Sequence, residues 1–403
     1  MKSQVPKVLH PVCGIPILGH VLQLPESLRM TRIAVVAGHQ KEAVTAFVGG
    51  RASLVEQKER RGSGHALLQT QETLKSFPEN VLVLCGDAPL LHVATLNHFI
   101  EEYRRQNAAA AVLTSEVEDP EHYGRIVRNK NGQVEAIVEH NNATPEQKKI
   151  REINVGAYCF NKSLLFDALK GLKPDAKKQE YYLTDVMAIL AKHRPVVAVM
   201  TKDSQEGFGI NSREDLASAE ETMRMRIVKR WMAEGVTFKD PRTAYIDANV
   251  ELGQDTVIHP NTVIEGPTKI GKRCQIGPFA RIRGGVTIGD DVTVGNFVEI
   301  VRSEIGDKTL VKHLTYLGDT KVESDVNIGA GTITANFDGK NKHQTFIGKG
   351  AQVGSGTVFV APATLGKNAK TGAGAVLTKG QQVSEGETVV GVPARALKKR
   401  KNA

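Results

Sequence analysis

Several residues stand where their side-chain chemistry could be put to use. His313 lies in Val311-Lys312-His313-Leu314-Thr315-Tyr316-Leu317-Gly318-Asp319, where an otherwise regular hydrophobic repeat slips. A neutral imidazole there can take the proton lost by an attacking nucleophile, typically worth about 10²–10⁴ in rate. A loop histidine can equally be structural or solvated. Asp87 follows Gly86 at the end of the apolar run Val81-Leu82-Val83-Leu84. Its carboxylate offers a hard oxygen to Mg²⁺, although the same spacing fits an aspartate capping the next turn ahead of Pro89. Glu139, just past Val134–Val138, could accept from a ligand's hydroxyls or sit solvated at a strand end. Arg283 carries a planar fork suited to two parallel hydrogen bonds with a phosphate.

These residues need elements to hold them. In the front half, short apolar runs alternate with amphipathic stretches. Strands are expected at Arg32–Ala37 (ending at Gly38-His39), Val81–Leu84, Ala110–Thr114, Ile126–Arg128, Val134–Val138, Ala157–Phe160 and Val196–Met200, with a helix over Gln40–Val48. Continuous β-branched runs separated by helices imply an α/β sheet covered on both faces. Ligands of such sheets sit beyond the carboxyl ends of the strands, where Asp87 would be. Ser212 to Gly235 reads as one helix. Ser212 is its N-cap, Glu214 and Asp215 fill its acidic first turn, and Leu216, Ala219, Met223, Ile227 and Met232 form its apolar stripe.

The back half keeps a period of six. Leu252, Ile258, Ile264, Ile270, Ile276, Ile282, Ile288, Val294 and Ile300 follow one another without a slip. Val322 and Ile328 resume the spacing, and Ile347, Val353, Phe359, Leu365, Thr371 and Leu377 continue it. Six fits neither a helix nor a meander. It fits a parallel β-helix of three short faces, about 18 residues per coil, with one aliphatic side chain per face pointing inward. Chemistry on such a solenoid belongs to its loops and edges. Two insertions are expected where the period slips, at Ser303–Lys321 and Thr334–Thr345.

Composition narrows the function. The chain has 403 residues and a net charge of +9, from 53 Lys+Arg against 44 Asp+Glu. The basic residues are dispersed, apart from Lys398-Lys399-Arg400-Lys401, and no aromatics interleave with them. That argues against nucleic acid and for small anionic substrates. Cys13, Cys85, Cys159 and Cys274 are scattered and suggest neither disulfides nor zinc. No apolar run is long enough to span a bilayer, and a cytoplasmic protein without membrane partners is expected.

Motifs in order along the chain carry a resemblance. Pro6-Lys7-Val8-Leu9, Gln57 with Gly62-Ser63-Gly64-His65-Ala66, Gly86-Asp87, Tyr123-Gly124-Arg125-Ile126, Ile137-Val138-Glu139-His140, Glu152-Ile153-Asn154-Val155-Gly156 and Gly209-Ile210-Asn211-Ser212-Arg213 resemble sugar-phosphate nucleotidylyltransferases. His313-Leu314-Thr315-Tyr316-Leu317-Gly318-Asp319 and Asn327-Ile328-Gly329-Ala330-Gly331-Thr332 resemble hexapeptide acetyltransferases. Together they resemble the bifunctional N-acetylglucosamine-1-phosphate uridylyltransferase / glucosamine-1-phosphate N-acetyltransferase family, over nearly the whole chain.

The resemblance implies a Rossmann-like nucleotidyltransferase domain over residues 1–213, a linker helix over 214–236, and a left-handed β-helix over 237–403 that trimerises. It implies that Gln57, Gly62 and Ser63 read the uracil of UTP, and that Gly124, Glu139 and Asn154 hold the sugar. Lys7 would face phosphate, while Asp87 and Asn211 would hold Mg²⁺. In the β-helix it implies His313 as the base, with Arg283, Tyr316, Asn327 and Asn336 binding glucosamine 1-phosphate. Ala330, Ser355 and Ala373 would contact acetyl-CoA.

The chain also departs from the family pattern. It opens at Met1-Lys2-Ser3-Gln4-Val5-Pro6-Lys7, partway into the family's G-x-G-T-R-M-x-S-x-x-P-K. Either Met1 is an internal methionine of a longer gene, or the domain has lost its phosphate loop and leaves a gap in its sheet. Val301 stands where the family has a phosphate-binding lysine, with Arg302 beside it as a candidate replacement, and Phe337 replaces a tyrosine. Gly391-Val392-Pro393-Ala394-Arg395 is nearer to other hexapeptide acetyltransferases, and coils are fewer near Gly266. Two narrower functions follow as alternatives: an acetyltransferase with an inactive nucleotide domain, or a nucleotidylyltransferase with a structural β-helix.

Overall fold

Ala110, Ala111, Val112 and Leu113 are all fully buried, which a strand achieves only when both faces of its sheet are covered. The computed structural model describes every residue except His39, Pro78, Glu121, Lys177 and 398–403, so the basic run at 398–401 lies outside the described residues. The chain divides into two units, one of Met1–Val12 with Pro16–Thr222, the other of Cys13–Ile15 with the residues from Met223 onward.

In the first unit α1 (Ile17–Ser27) leads to β1 (Ala34–Ala37), α2 (Lys41–Val48), β2 (Ser53–Glu56) and α3 (Ser63–Leu68). There follow β3 (Asn80–Leu84), α4 (Val93–Arg105), β4 (Ala110–Glu116), β5 (Arg125–Arg128), β6 (Val134–Val138) and β7 (Glu152–Asn161). The unit continues with α5 (Lys162–Lys170), α6 (Thr184–Ala191) and β8 (Val196–Met200). The sheet runs β8-β4-β7-β5-β6, with β3 also pairing β7. β8 is parallel to β4, while β7 is antiparallel to both β3 and β4. Side chains alternate along these strands. Ala110, Val112, Tyr158 and Phe160 pack with Leu67, Leu165 and Val186 on one side. Ala111, Leu113, Ala157 and Cys159 pack with Leu96 and Phe99 on the other. β1 and β2 pair in parallel as a separate small sheet. The expected strands are present, but β7 starts five residues before Ala157. The polar Asn154 and the positive-φ Gly156 interrupt its apolar pattern and hide it from a periodicity reading.

α7 spans Arg213–Ala233. Ser212 Oγ accepts from the Asp215 N–H (3.0 Å), and the Asp215 carboxylate accepts from the Ser212 N–H (2.7 Å), a reciprocal cap. The expected stripe needs one correction. Met232 is exposed, and Val228 and Trp231 are buried instead. Four residues beyond Ile227 return to the same helix face, whereas five do not.

The second unit is a left-handed parallel β-helix with three sheets of ten, eight and eight strands. Face one includes Thr293–Asn296, Leu310–His313 and Asn327–Ile328. Face two includes Arg281–Ile282, Glu299–Val301, Tyr316–Gly318 and Ile333–Ala335. Face three includes Val286–Ile288, Glu304–Ile305 and Thr320–Val322. Every residue of the six-residue series is buried. A second buried position, two residues before each, takes small side chains such as Cys274, Ala280 and Thr332. Most of its threonines satisfy their hydroxyls on backbone carbonyls, as Thr332 does on Gly329 (2.7 Å) and Thr357 on Gly354 (2.7 Å), whereas the buried Thr345 hydroxyl does not.

The first expected insertion is wrong. Residues 303–321 are coil, with strands at Glu304–Ile305, Leu310–His313, Tyr316–Gly318 and Thr320–Val322. The series slips because a residue is missing. Val250 pairs with Thr268, 18 positions on, whereas Asn296 pairs with His313, 17 on. The corners between faces two and three are tightened at Arg302 (φ 46°) and Asp319 (φ 49°). Ile305, Val311 and Leu317 carry the buried series through this stretch. The second insertion is real. Thr320 pairs with Thr345, 25 positions on, and the surplus is a loop over 336–344 closed by a Phe337–Lys342 bridge. Removing one rung of the axial core, by Ile282→Ala, leaves a cavity that stacked neighbours cannot collapse into. A cost of about 2–5 kcal/mol is expected, measured as a lower denaturation midpoint.

Candidate functional site

In the first unit the expected site residues fall into three clusters. Gln57, just past the end of β2, donates from Nε2 to the Gly62 carbonyl (3.0 Å), with His65 Nδ1 3.1 Å away. Ser63 Oγ accepts from the Leu183 N–H (3.0 Å). Gly62 has φ +93°, and a Cβ there would press on the Tyr181 backbone, so only glycine lets this turn approach.

Gly124, Glu139 and Asn154 converge as expected. A Cβ on Gly124 would lie 3.7 Å from the Asn154 Cβ and 3.8 Å from Glu139 Oε1. The Asn154 N–H donates to the Gly124 carbonyl (2.9 Å). Beneath them the buried Arg125 guanidinium binds the carbonyls of Pro120 and Tyr123 and braces the loop. Glu139 accepts from Thr184 Oγ1 (2.9 Å). Burial pushes its carboxyl above the usual range, against that hydrogen bond, with Asp185 adding to the rise and Lys178 opposing it. The sequence reading missed Thr184. It follows the Tyr181-Tyr182-Leu183 turn at the start of α6, and only its burial marks it.

Lys7, Asp87 and Asn211 form the third cluster. Lys7 Nζ lies 2.5 Å from Asp87 Oδ2 and donates to Asn211 Oδ1 (2.9 Å). The Ile210 N–H donates to the Asp87 carbonyl (3.0 Å), which ties the two oxygen donors together. Two hard oxygens already hold a cation, so this donor set fits a divalent metal. His92, Asp203 and Glu206 also gather. There Glu206 accepts from Thr95 Oγ1 (2.7 Å) and the His92 N–H (3.3 Å), capping the start of α4.

In the β-helix the corner between faces one and two repeats one backbone geometry. Phe279, Phe297, Leu314, Gly331, Gly356 and Gly374 all have positive φ. The N–H of a corner residue donates to the residue just before the corner one coil back: Leu314 to Asn296 (3.1 Å), Gly331 to His313 (3.3 Å), Gly356 to Ala330 (2.7 Å) and Gly374 to Ser355 (2.8 Å). Asn296, His313, Ala330, Ser355 and Ala373 therefore stand in one column. The expected base and all three expected acetyl-CoA residues lie on it. His313 is exposed, and its Nδ1 lies 2.8 Å from Asn296 Oδ1.

The expected sugar-phosphate residues are more dispersed. Tyr316 opens face two on the His313 coil, and Asn327 lies one coil on, on face one. The Tyr316 hydroxyl and the Asn336 amide crowd the same side of Gly318. Arg283 makes one long contact with Glu299 (3.3 Å). Val301 is buried. Arg302 binds Asp319 through two bonds (2.7 and 2.8 Å), and Asn336 Nδ2 also donates to Asp319 (2.5 Å). Arg302, more than Asn336, holds the Asp319 carboxyl below its usual range. The guanidinium proposed to replace the missing lysine is thus committed to its own coil stack.

A nucleotidyl transferase family model matches residues 2–235. A bacterial transferase hexapeptide model of six repeats matches 267–302, and a hexapeptide repeat of succinyl-transferase matches 344–379. Bifunctional protein GlmU of Shouchella clausii (strain KSM-K16) is 42% identical over 412 residues, covering 94% of this chain and 91% of that protein. Its counterpart in Heliobacterium modesticaldum (strain ATCC 51547 / Ice1) is 43% identical over 413 residues, covering 94% and 90%. The chain belongs to the bifunctional GlmU family. As a member it is an enzyme with both uridylyltransferase and acetyltransferase activities, making UDP-N-acetylglucosamine from small-molecule substrates. The GlmU family implies a divalent metal and acetyl-CoA. Among the described residues no helix is long and apolar enough to cross a membrane.

The raised Glu139 carboxyl has a stability consequence. A carboxyl favoured in its protonated form by folding stabilises the protein below its unfolded pKa, and that contribution is lost as pH rises through the folded one. Glu139→Gln, permanently neutral and still able to accept from Thr184, is expected to melt above wild type at pH 8. The gap should shrink toward pH 4 in thermal unfolding at both pH values.

Proposed function

We propose that the two activities are divided between residues 1–213 and 237–403, with 214–236 as a linker. In the first domain Gln57, Gly62 and Ser63 read the base of UTP, and Gly124, Glu139 and Asn154 hold N-acetylglucosamine 1-phosphate. Asp87 and Asn211 hold Mg²⁺, which supplies charge neutralisation on the triphosphate when bound. A phosphate oxygen of the sugar phosphate attacks the α-phosphorus of UTP, and pyrophosphate leaves with the bonding pair. Lys7 offers its ammonium to the phosphates once it is free of Asp87.

In the β-helix His313 is the general base. The amine of glucosamine 1-phosphate attacks the acetyl thioester carbonyl, and His313 Nε2 takes the amine proton. The C–S bond then breaks with its electron pair on sulfur, and the imidazolium returns a proton to give free CoA thiol. Ala330, Ser355 and Ala373 line the CoA arm, while Arg283, Tyr316, Asn327 and Asn336 hold the sugar phosphate. The observation that carries this reading is the column with His313 one coil before Ala330 and two before Ser355.

The protein works in the cytoplasm as a homotrimer. The exposed stack of Phe279 on Phe297, 5.3 Å between ring centres, with Leu314 beyond it, supports an apolar contact between copies at this corner.

His313→Ala should lower acetyl-CoA-dependent thiol release by about 10²–10⁴ and leave UTP-dependent pyrophosphate release intact. Retained thiol release would refute the base assignment. Lys7→Met removes the ammonium competing for Asp87 and Asn211, so Mn²⁺ should bind about tenfold tighter or better without nucleotide, read as loss of the free-ion electron paramagnetic resonance signal. Unchanged binding that survives Asp87→Asn would put the metal elsewhere, with His92, Asp203 and Glu206 next to be tested.

A further inference from the structure

We infer that Asn296 is a positioning residue for acetyl transfer, fixing the tautomer and the aim of the His313 ring. The inference rests on the reading of His313 as the base. Imidazole acts as a base only through a nitrogen that carries no proton, and the proton on the other nitrogen must be held there. Asn296 Oδ1 lies 2.8 Å from His313 Nδ1. A carbonyl oxygen can only accept, so Nδ1 bears the hydrogen and Nε2 bears the lone pair. Nε2 makes no hydrogen bond among the described residues, and the side chain is exposed.

The backbone holds this pair in place. Asn296 and His313 are register partners on adjacent strands of face one. The Leu314 N–H donates to the Asn296 carbonyl (3.1 Å), and Thr315 Oγ1 donates to the His313 carbonyl (2.7 Å). Gly295, just before Asn296, lies so close to the next coil that a Cβ would overlap the Lys312 carbonyl oxygen. Ring and amide are thus clamped at the same rung by main chain on both sides. The coil between them has 17 residues, and its missing position falls at the opposite corner, so the pair stays aligned.

The choice of an amide matters chemically. A neutral carbonyl orients the ring without putting a negative charge beside it. The proton taken from the amine can therefore pass on to the leaving sulfur and is not trapped on an ion-paired imidazolium.

The test starts with the wild-type protein. Nitrogen-15 NMR of the His313 ring should show the hydrogen on Nδ1 and a bare Nε2. A ring protonated on Nε2 would mean that the Asn296 amide donates to it, and would overturn the inference without any variant. Asn296→Ala should lower kcat for acetyl transfer about 10- to 100-fold, with KM for glucosamine 1-phosphate changed less than about twofold, and should weaken the Nδ1–H signature. Asn296→Asp, which keeps an acceptor in place but puts a negative charge beside the ring, should restore that signature, recover only part of kcat and move the rising limb of the pH profile to higher pH. A purely structural role would move KM and kcat together, leave the tautomer unchanged and gain nothing from aspartate, and that pattern would also overturn the inference. His313→Ala in the same assay separates the two failures. If it retains acetyl transfer, the base reading falls. If it abolishes transfer while Asn296→Ala is silent, only the role of Asn296 falls.

Discussion

The second unit depends on one constraint: each coil must put one large aliphatic side chain per face into a narrow axis while its backbone bonds to the coils on either side. Once Ile282 is centred and paired with Ile264 and Ile300, the register of those coils on this face is set. Outward side chains inherit fixed columns. Asn296, His313 and Ala330 are neighbours for that reason, though no two of them are closer than 17 positions in the chain. The same constraint explains where length varies. A residue can be dropped at Arg302 or a loop added after Ala335, because corners carry no axial side chain.

The first unit handles charge in two ways within one sheet end. Asp87 meets an ammonium, and its oxygens stay organised for whatever cation replaces it. Glu139 meets the penalty of burial, a hydroxyl, the repulsion of Asp185 and the opposing charge of Lys178. One carboxylate is held ready by attraction. The other is held under strain that a ligand offering hydrogen-bond donors would relieve.

Much of this was legible in the sequence. The period of six gave the β-helix from residue types alone, because a repeated environment leaves a repeated side chain. The motifs that gather around Lys7, Gly62 and Gly124 were readable through their order along the chain, which resembles one family; taken singly, Asp87 and Glu139 fitted structural roles as well. The slip after Ile300 was misread as an insertion. A lost residue and a gained loop break a periodic pattern in the same way, and only pairing distances tell them apart. Asn296 and Thr184 were missed because their importance lies in their partners, one coil away and 45 residues away. Met232 falls on the wrong side of α7 because it lies five residues past Ile227, one more than the step that returns to the buried face.

The corner column also acts as a ruler. Its rungs are set by strand spacing at about 4.8 Å, so three coils below His313 measure roughly 14 Å. If, as proposed, a thioester arm runs along Ala330, Ser355 and Ala373, it would meet the same corner geometry at each step. A slip by one rung would then carry the acyl carbon about 4.8 Å from the amine. The spacing that lets the polypeptide stack thus also sets how far along its surface a bound chain can reach.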